Sequence, residues 1–450
     1  MASVTDSERR EPDGSSAPRG LSSPLLLPDI IVAEGRRAIA WRWVLSRTLT
    51  FALLVFETGI SGDVSYYQRS LNELFHGGTL GDTLQEYPLP VLGLLTPQYL
   101  IGLENQVAFT FLFVASMLLV DAGFTAVLWR ADGRKRGDAT NLWLWFAPLL
   151  GPMAYFRFDL VPAVLAGGAV LVAVRRPAVA GILTAIGGAL KLWPAVMLPI
   201  FLLRRHGRRE VITGLVSAGL LLALLTVGLG GIDRTLSPLR WQNSRGLQIE
   251  AVPGTVLMLG RMAHATPWDV HVSPFKAYEL FGPGVSAVLT LSPLLVVLGG
   301  LLLVVLWFRA LRSGATSAET LGWLFLAASL IVTITNKALS PQYLLWIGGP
   351  IAALAVIRPA DHAVRTFGRV LLVTALFTQL LFPIFYHALV LETMVMPVAT
   401  MILTIRNVLL VWLTWYAVRQ VWRQTQRPVA SSGARTTGGS ELVDRGEAQH

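Results

Sequence analysis

The chain has 450 residues, 53% of them hydrophobic and 14% charged, with a formal charge of +10. A water-soluble fold cannot hide that much apolar surface, so the solvent is lipid and no room is left for a separate soluble domain. The charge is not a nucleic-acid footprint either, because the arginines stand at the ends of apolar runs instead of on one basic face.

Residues 1–38 are rich in Ser, Pro, Arg and Glu, and their apolar patch Leu25-Leu26-Leu27 is too short for a signal-peptide core. They are expected to form a disordered cytoplasmic tail. Residues 39–425 form the membrane domain. Its apolar runs, 41–60, 107–129, 141–156, 159–174, 178–190, 192–203, 211–231, 285–308, 319–335, 341–357, 368–386 and 394–418, predict roughly twelve helices. Basic residues cluster at Arg36-Arg37, Arg134-Lys135-Arg136, Arg175-Arg176, Arg204 to Arg209, Arg309 with Arg312, Arg358 with Arg365, and Arg419 with Arg423. The positive-inside rule puts these on the cytoplasmic side, together with both termini. Residues 426–450 read as a second disordered tail, and segments 61–105 and 231–283 as the long outward connections.

Several runs fall short of the roughly 20 residues needed to cross the hydrocarbon core. Short helices predict a recess, and polar knots at Phe156-Arg157-Phe158-Asp159, Lys191-Leu192-Trp193-Pro194 and Asn336-Lys337-Ala338-Leu339-Ser340-Pro341 lie on its side of the membrane. In the first outward segment Val64, Tyr67, Leu71, Leu74 and Phe75 share one helical face, with Gln68, Arg69, Asn72 and Glu73 opposite, as in a helix lying in the headgroup plane. The expected fold is therefore all-α: a polytopic transmembrane bundle with an outward-facing catalytic recess and amphipathic outer-loop helices.

Asp63 stands at the start of that interfacial helix. It reads either as a helix cap or as a general base at the recess mouth, and the two roles are compatible. Glu86, in Glu86-Tyr87-Pro88, is a second carboxylate or a solvated turn residue. Glu57 closes the first span and reads as pocket-facing or headgroup-level. Arg157, Lys191 and Lys337 each precede a proline near a helix start, so helix N-termini and fixed cations converge as an anion site. The competing reading is snorkelling to the headgroups. Asp159 is expected to orient Arg157. Arg245 and Glu250 read as an ion pair in the second outward loop, and Asp121 as a helix-to-helix hydrogen bond. His76, His264, His271 and His387 lack metal-ligand spacing, and the chain has no cysteine, so neither metal nor cofactor is expected.

The ordered set Gly62-Asp63-Val64 with Tyr66-Tyr67, Glu86-Tyr87-Pro88, Arg157-Phe158-Asp159, Lys191-Leu192-Trp193-Pro194, Arg245 to Glu250 and Ser340-Pro341-Gln342-Tyr343 resembles glycosyltransferase family 87, the actinobacterial polytopic enzymes of the C superfamily. The chain departs from many relatives in carrying Leu89 between Pro88 and Pro90. The resemblance implies an α-mannosyltransferase, a hexosyltransferase of the plasma membrane. Its donor would be polyprenyl-phosphate mannose, its acceptor a glycolipid or cell-envelope glycan, and its other surroundings membrane lipid. It also implies inversion at the sugar carbon, Asp63 as the base, Arg157, Lys191 and Lys337 on the donor phosphate, and Tyr66, Tyr67, Glu86, Tyr87, Asp159, Arg245, Glu250, Gln342 and Tyr343 as substrate-binding candidates. A related donor, polyprenyl-phosphate arabinofuranose, would make it an arabinosyltransferase.

A lipid or sugar transporter, or flippase, is the rival from another class, since polar residues in short helices also mark transport sites. A structural subunit of an envelope complex is a third. The topology is directly testable: reporter fusions after Gly81 and after Ala263 are expected to score as non-cytoplasmic, and a cytoplasmic score at either would remove the outward recess.

Overall fold

The computed structural model describes residues 35–56, 59–134, 137–204, 206–263 and 267–426. The expectations for Glu57, Lys135, Arg136, Arg205 and His264, and for nearly all of both tails, fall outside these residues.

Helix α1 (Arg36–Ala52) continues into a 3-10 turn (Leu53–Phe56), and α2 spans Gly62–Phe75. Next come α3 (Pro90–Ile101), α4 (Gln106–Ala131), α5 (Asp138–Leu150), α6 (Leu160–Val172), α7 (Pro177–Leu190) and the five-residue α8 (Met197–Phe201). Helix α9 (Arg208–Ser244) runs past the expected end near 231, kinking at Gly231, whose φ of 73° suits a residue without a Cβ. After α10 (Thr255–Ala263), strands β1 (Asp269–Val272) and β2 (Tyr278–Phe281) pair antiparallel, with Asp269 opposite Phe281 and Val272 opposite Tyr278. This short hairpin is a local addition to a chain that is otherwise helical, as expected. The chain closes with α11 (Val285–Ser313), α12 (Ala318–Thr335), α13 (Leu345–Ile357), α14 (His362–Gln379), α15 (Tyr386–Val390) and α16 (Met396–Gln424).

Seven of these segments are long and apolar enough to cross a membrane, and four shorter apolar helices accompany them: Pro90–Ile101, Leu160–Val172, Pro177–Leu190 and Pro341–Ile357. The expected span 192–203 dissolves into a 3-10 turn and α8, too short to cross, because Pro194 and Pro199 interrupt it. Helix α3 was not anticipated; Pro97 and the polar Thr96 and Gln98 broke its apolar run.

Burial follows the solvent. Helix α13 is buried along nearly its whole length and packs against α5, α6 and α12. Gly167 of α6 and Gly349 of α13 let the two backbones touch: a Cβ on Gly167 would lie 2.7 Å from the Gly349 carbonyl oxygen. Helices α9 and α11 instead turn Leu220, Leu224, Leu294 and Leu298 outward, as helices facing lipid do. In α2, Val64, Tyr67 and Leu71 are buried as expected, but Phe75 is exposed, and the buried Gln68 donates to the Glu104 carbonyl.

One buried knot ties the start of the bundle together. Asp121 of α4 accepts from Arg47 of α1 at 2.7 and 2.8 Å, from Trp43 at 2.7 Å, from Trp143 of α5 at 2.6 Å and from the Tyr155 hydroxyl at 3.0 Å. Five donor contacts need both carboxylate oxygens. Asp121→Asn keeps one acceptor and strands the buried Arg47, and is expected to cost about 3–5 kcal/mol. Thermal unfolding in detergent checks this; a melting point equal to wild type would show the knot is dispensable.

Candidate active site

Where α2, the 80–87 loop, the Arg157 and Lys191 knots, the 242–250 loop and the hairpin tip meet, they enclose a recess of about 600 Å³. Helix α2 contributes Asp63, Tyr66, Ser70 and Glu73, which helical spacing places on one face. Glu86 and Tyr87 approach from the next loop. Tyr278, Ser340 to Tyr343, Phe382 and Tyr386 complete the far side.

Asp63 is the second residue of α2, and its side chain caps none of the helix N–H groups. Its Oδ2 instead lies 2.8 Å from Arg157 Nε. That approach is off the N–H axis, so this buried N–H has no hydrogen-bond acceptor among the described residues, while Nη1 donates to the Phe156 carbonyl at 3.0 Å. The Asp63 side chain is 38% exposed and so reachable from the recess.

Asp159 does not orient Arg157, contrary to expectation. It accepts from Lys191 Nζ through both oxygens, at 2.8 and 2.7 Å, and from Trp346 Nε1 at 2.9 Å. The Lys191 ammonium also sits 5.0 Å from the Phe158 ring and 5.5 Å from the Tyr87 ring, where cation–π attraction adds to the ion pair. Asp159 is buried behind Lys191 and does not line the recess.

The remaining member of the expected anion site, and the expected Arg245–Glu250 pair, differ more. Lys337 is outside the recess lining; its ammonium donates to the Asn243 carbonyl at 2.9 Å, and its own carbonyl accepts from Gln248 N at 3.0 Å. It fastens two loops together because the residues after it, Ala338 and Leu339, are drawn into the core. Arg245, expected to pair with Glu250, does line the recess, and among the described residues it has no ion pair and its buried Nε has no acceptor. Glu250 pairs with Arg406 of α16 at 2.9 Å instead.

Tyr67 is fully buried behind Asp63, its ring 5.9 Å from Phe158 and 6.0 Å from Tyr87, so it supports the wall without lining it. Tyr66, Glu86, Tyr87, Gln342 and Tyr343 do line it. Burial raises the Tyr66 hydroxyl pKa, and the neighbouring Glu86 carboxylate raises it further.

Lys276, Arg234, Tyr278, Tyr386 and Arg406 had no role in the sequence reading. Lys276, at the hairpin tip with φ 57°, lays its ammonium 3.3 Å from the Tyr66 ring centre, and burial pulls its pKa down. Arg234 of α9 donates to the carbonyls of Leu80, Thr83, Leu84 and Tyr87 at 3.0 to 3.1 Å, holding the loop that presents Glu86 and Tyr87. No local pattern marks an arginine that serves four distant carbonyls.

Charged side chains of both signs, aromatic rings and a reachable carboxylate in one cavity are the furnishings of a group-transfer site on membrane-length helices. Residues 84–333, more than half of the chain, match the model for glycosyltransferase family 87, and the chain belongs to that family. No curated protein and no solved structure matches it. The matched segment holds Glu86, Arg157, Lys191, Arg245 and Glu250, while Asp63, Lys337 and Arg406 lie outside it.

Arg234 supplies a test of how the site is held. Arg234→Lys cannot reproduce a planar fork on four carbonyls. Amide hydrogen exchange over residues 79–87 is expected to quicken by about 10-fold or more while the helices keep their protection. Unchanged exchange there would mean that the loop holds itself.

Proposed function

We propose that the protein transfers a sugar, mannose in the first instance, from a polyprenyl-phosphate donor to a glycolipid or cell-envelope glycan at the outer face of the plasma membrane, with inversion. The observation that carries this reading is the pairing of a reachable carboxylate, Asp63, with Arg157 in a recess that also holds Lys191 and Arg245, which has no ion pair among the described residues.

Asp63 takes the proton of the acceptor hydroxyl as that oxygen attacks the anomeric carbon. The bond from that carbon to the phosphate oxygen breaks on the opposite side, and the polyprenyl phosphate leaves with the bonding pair. Arg157 and Lys191 face the charge that develops there, already oriented by Asp63 and Asp159. Arg245 takes the place that the sequence reading gave to Lys337: it lines the recess and has no ion pair among the described residues, so a phosphate supplies its counter-charge. Mannose comes from the resemblance to the family, and arabinofuranose on the same lipid phosphate uses the same anion site.

Membranes carrying the protein, offered polyprenyl-phosphate mannose and polyprenyl-phosphate arabinose separately, are expected to transfer from the mannose donor. Asp63→Asn is expected to lose transfer by a factor on the order of 100 or more; because it also leaves the buried Arg157 without its counter-charge, at a cost of about 3–5 kcal/mol, transfer is compared on protein that thermal unfolding in detergent shows to be folded. Near-normal transfer by this variant would reduce Asp63 to an anchor for Arg157, and no turnover of either donor by wild type would overturn the reading.

A further inference from the structure

A second carboxylate in the recess wall is held in a way that a purely structural ion pair does not require. Glu250 lines the recess although its side chain is only 4% exposed. Arg406, fully buried in α16, donates to Glu250 Oε2 at 2.9 Å and to the Glu250 backbone carbonyl at 3.0 Å. Asn407 adds a donor to the same carbonyl at 3.3 Å. The backbone is thus fastened to α16 without help from the side chain. A buried charge pair is costly, and apolar residues of similar volume hold two elements together at least as well. Burial raises the Glu250 pKa and Arg406 opposes it.

The surroundings of the carboxylate are those of a polyhydroxylated ligand. Tyr386, which is electrostatically coupled to Glu250, meets the Tyr278 ring edge-on at 5.7 Å and the Phe382 ring at 5.0 Å, and all three rings line the recess. Rings offer flat apolar surface to the C–H faces of a sugar, and an oriented carboxylate accepts its hydroxyl protons. Arg245 stands on the same loop, five residues before Glu250, and lines the recess. Phosphate and sugar are joined by one bond in the donor, so a loop with a guanidinium that has no ion pair among the described residues at one end and an oriented carboxylate at the other matches that pair of groups.

We infer that Glu250, positioned by Arg406 and flanked by Tyr278, Phe382 and Tyr386, reads hydroxyl groups of the donor's sugar and so sets which sugar is transferred. This rests on the lipid-phosphate-sugar reading above. Glu250 and Tyr386 touch the sugar; Arg406 is a positioning residue that acts through Glu250.

The test uses the full-length protein in lipid nanodiscs and the polyprenyl-phosphate sugar that wild type turns over, with its monodeoxy analogues. A site built to hydrogen-bond a hydroxyl discriminates strongly against the analogue that lacks it. Wild type is expected to disfavour at least one deoxy donor by about 10-fold or more in kcat/KM. The charge-neutral double variant Glu250→Gln with Arg406→Met is expected to melt near wild type, to lose about 10- to 100-fold in kcat/KM on the parent donor, and to lose most of that discrimination. A folded double variant with wild-type kcat/KM and discrimination overturns the inference and leaves the pair structural. If the double variant does not fold, Tyr386→Phe decides: it keeps the ring, and the inference requires weaker discrimination at the same position, whereas unchanged discrimination overturns it. A wild type that transfers the sugar yet is indifferent to every deoxy position overturns the subsite alone. Absence of transfer from any polyprenyl-phosphate donor overturns the reading beneath it.

Discussion

The contact between Asp63 and Arg157 joins the start of α2 to the knot between α5 and α6, and the recess is arranged around it. Neither group can be placed here alone. An uncompensated charge among apolar helices costs several kcal/mol, so each charge must meet an opposite one brought from elsewhere in the fold. The same constraint recurs at Lys191 with Asp159, Arg47 with Asp121 and Arg406 with Glu250. Each pair ties together elements that are distant along the chain, so the cations that the chemistry calls for also hold the walls in register.

The pairs differ in what they leave free. Asp121 is saturated by five donor contacts and has nothing left for a ligand, which makes it architecture. Asp159 is nearly so, with Lys191 on both oxygens and Trp346 on one. Asp63 and Glu250 both face the cavity, each with one oxygen taken by an arginine. Arg157 and Arg245 keep buried N–H groups without acceptors. What sets the recess apart from the structural salt bridges is that two carboxylates and several cations face one cavity with oxygens still open to a ligand.

The family match ends at residue 333, but the recess does not. Asp63 enters from before the matched segment, and Tyr343, Phe382, Tyr386 and Arg406 from beyond it. The 339–343 loop and the break after α14 close on the site from beyond the matched segment. Residues that approach a site from such different parts of a chain are free to vary separately, which is how one scaffold adapts to different substrates.

The amino-acid sequence alone determined the solvent, most of the helices, and the residue types at the polar knots. Hydropathy and proline placement act over a few neighbouring residues, so they are legible in one dimension. Asp63, Arg157 and Lys191 could be singled out because charged residues at the ends of apolar runs are conspicuous. Only the tertiary structure decided their partners. Asp159 went to Lys191 rather than to its near neighbour Arg157, Glu250 to Arg406 across 156 residues, and Lys337 to a backbone carbonyl instead of the recess. The short strands Asp269–Val272 and Tyr278–Phe281 were likewise invisible, since four residues carry too little alternation to be read. A sequence records which charges must be neutralised; which opposite charge is within about 3 Å is set by helix packing, and that depends on the whole chain at once.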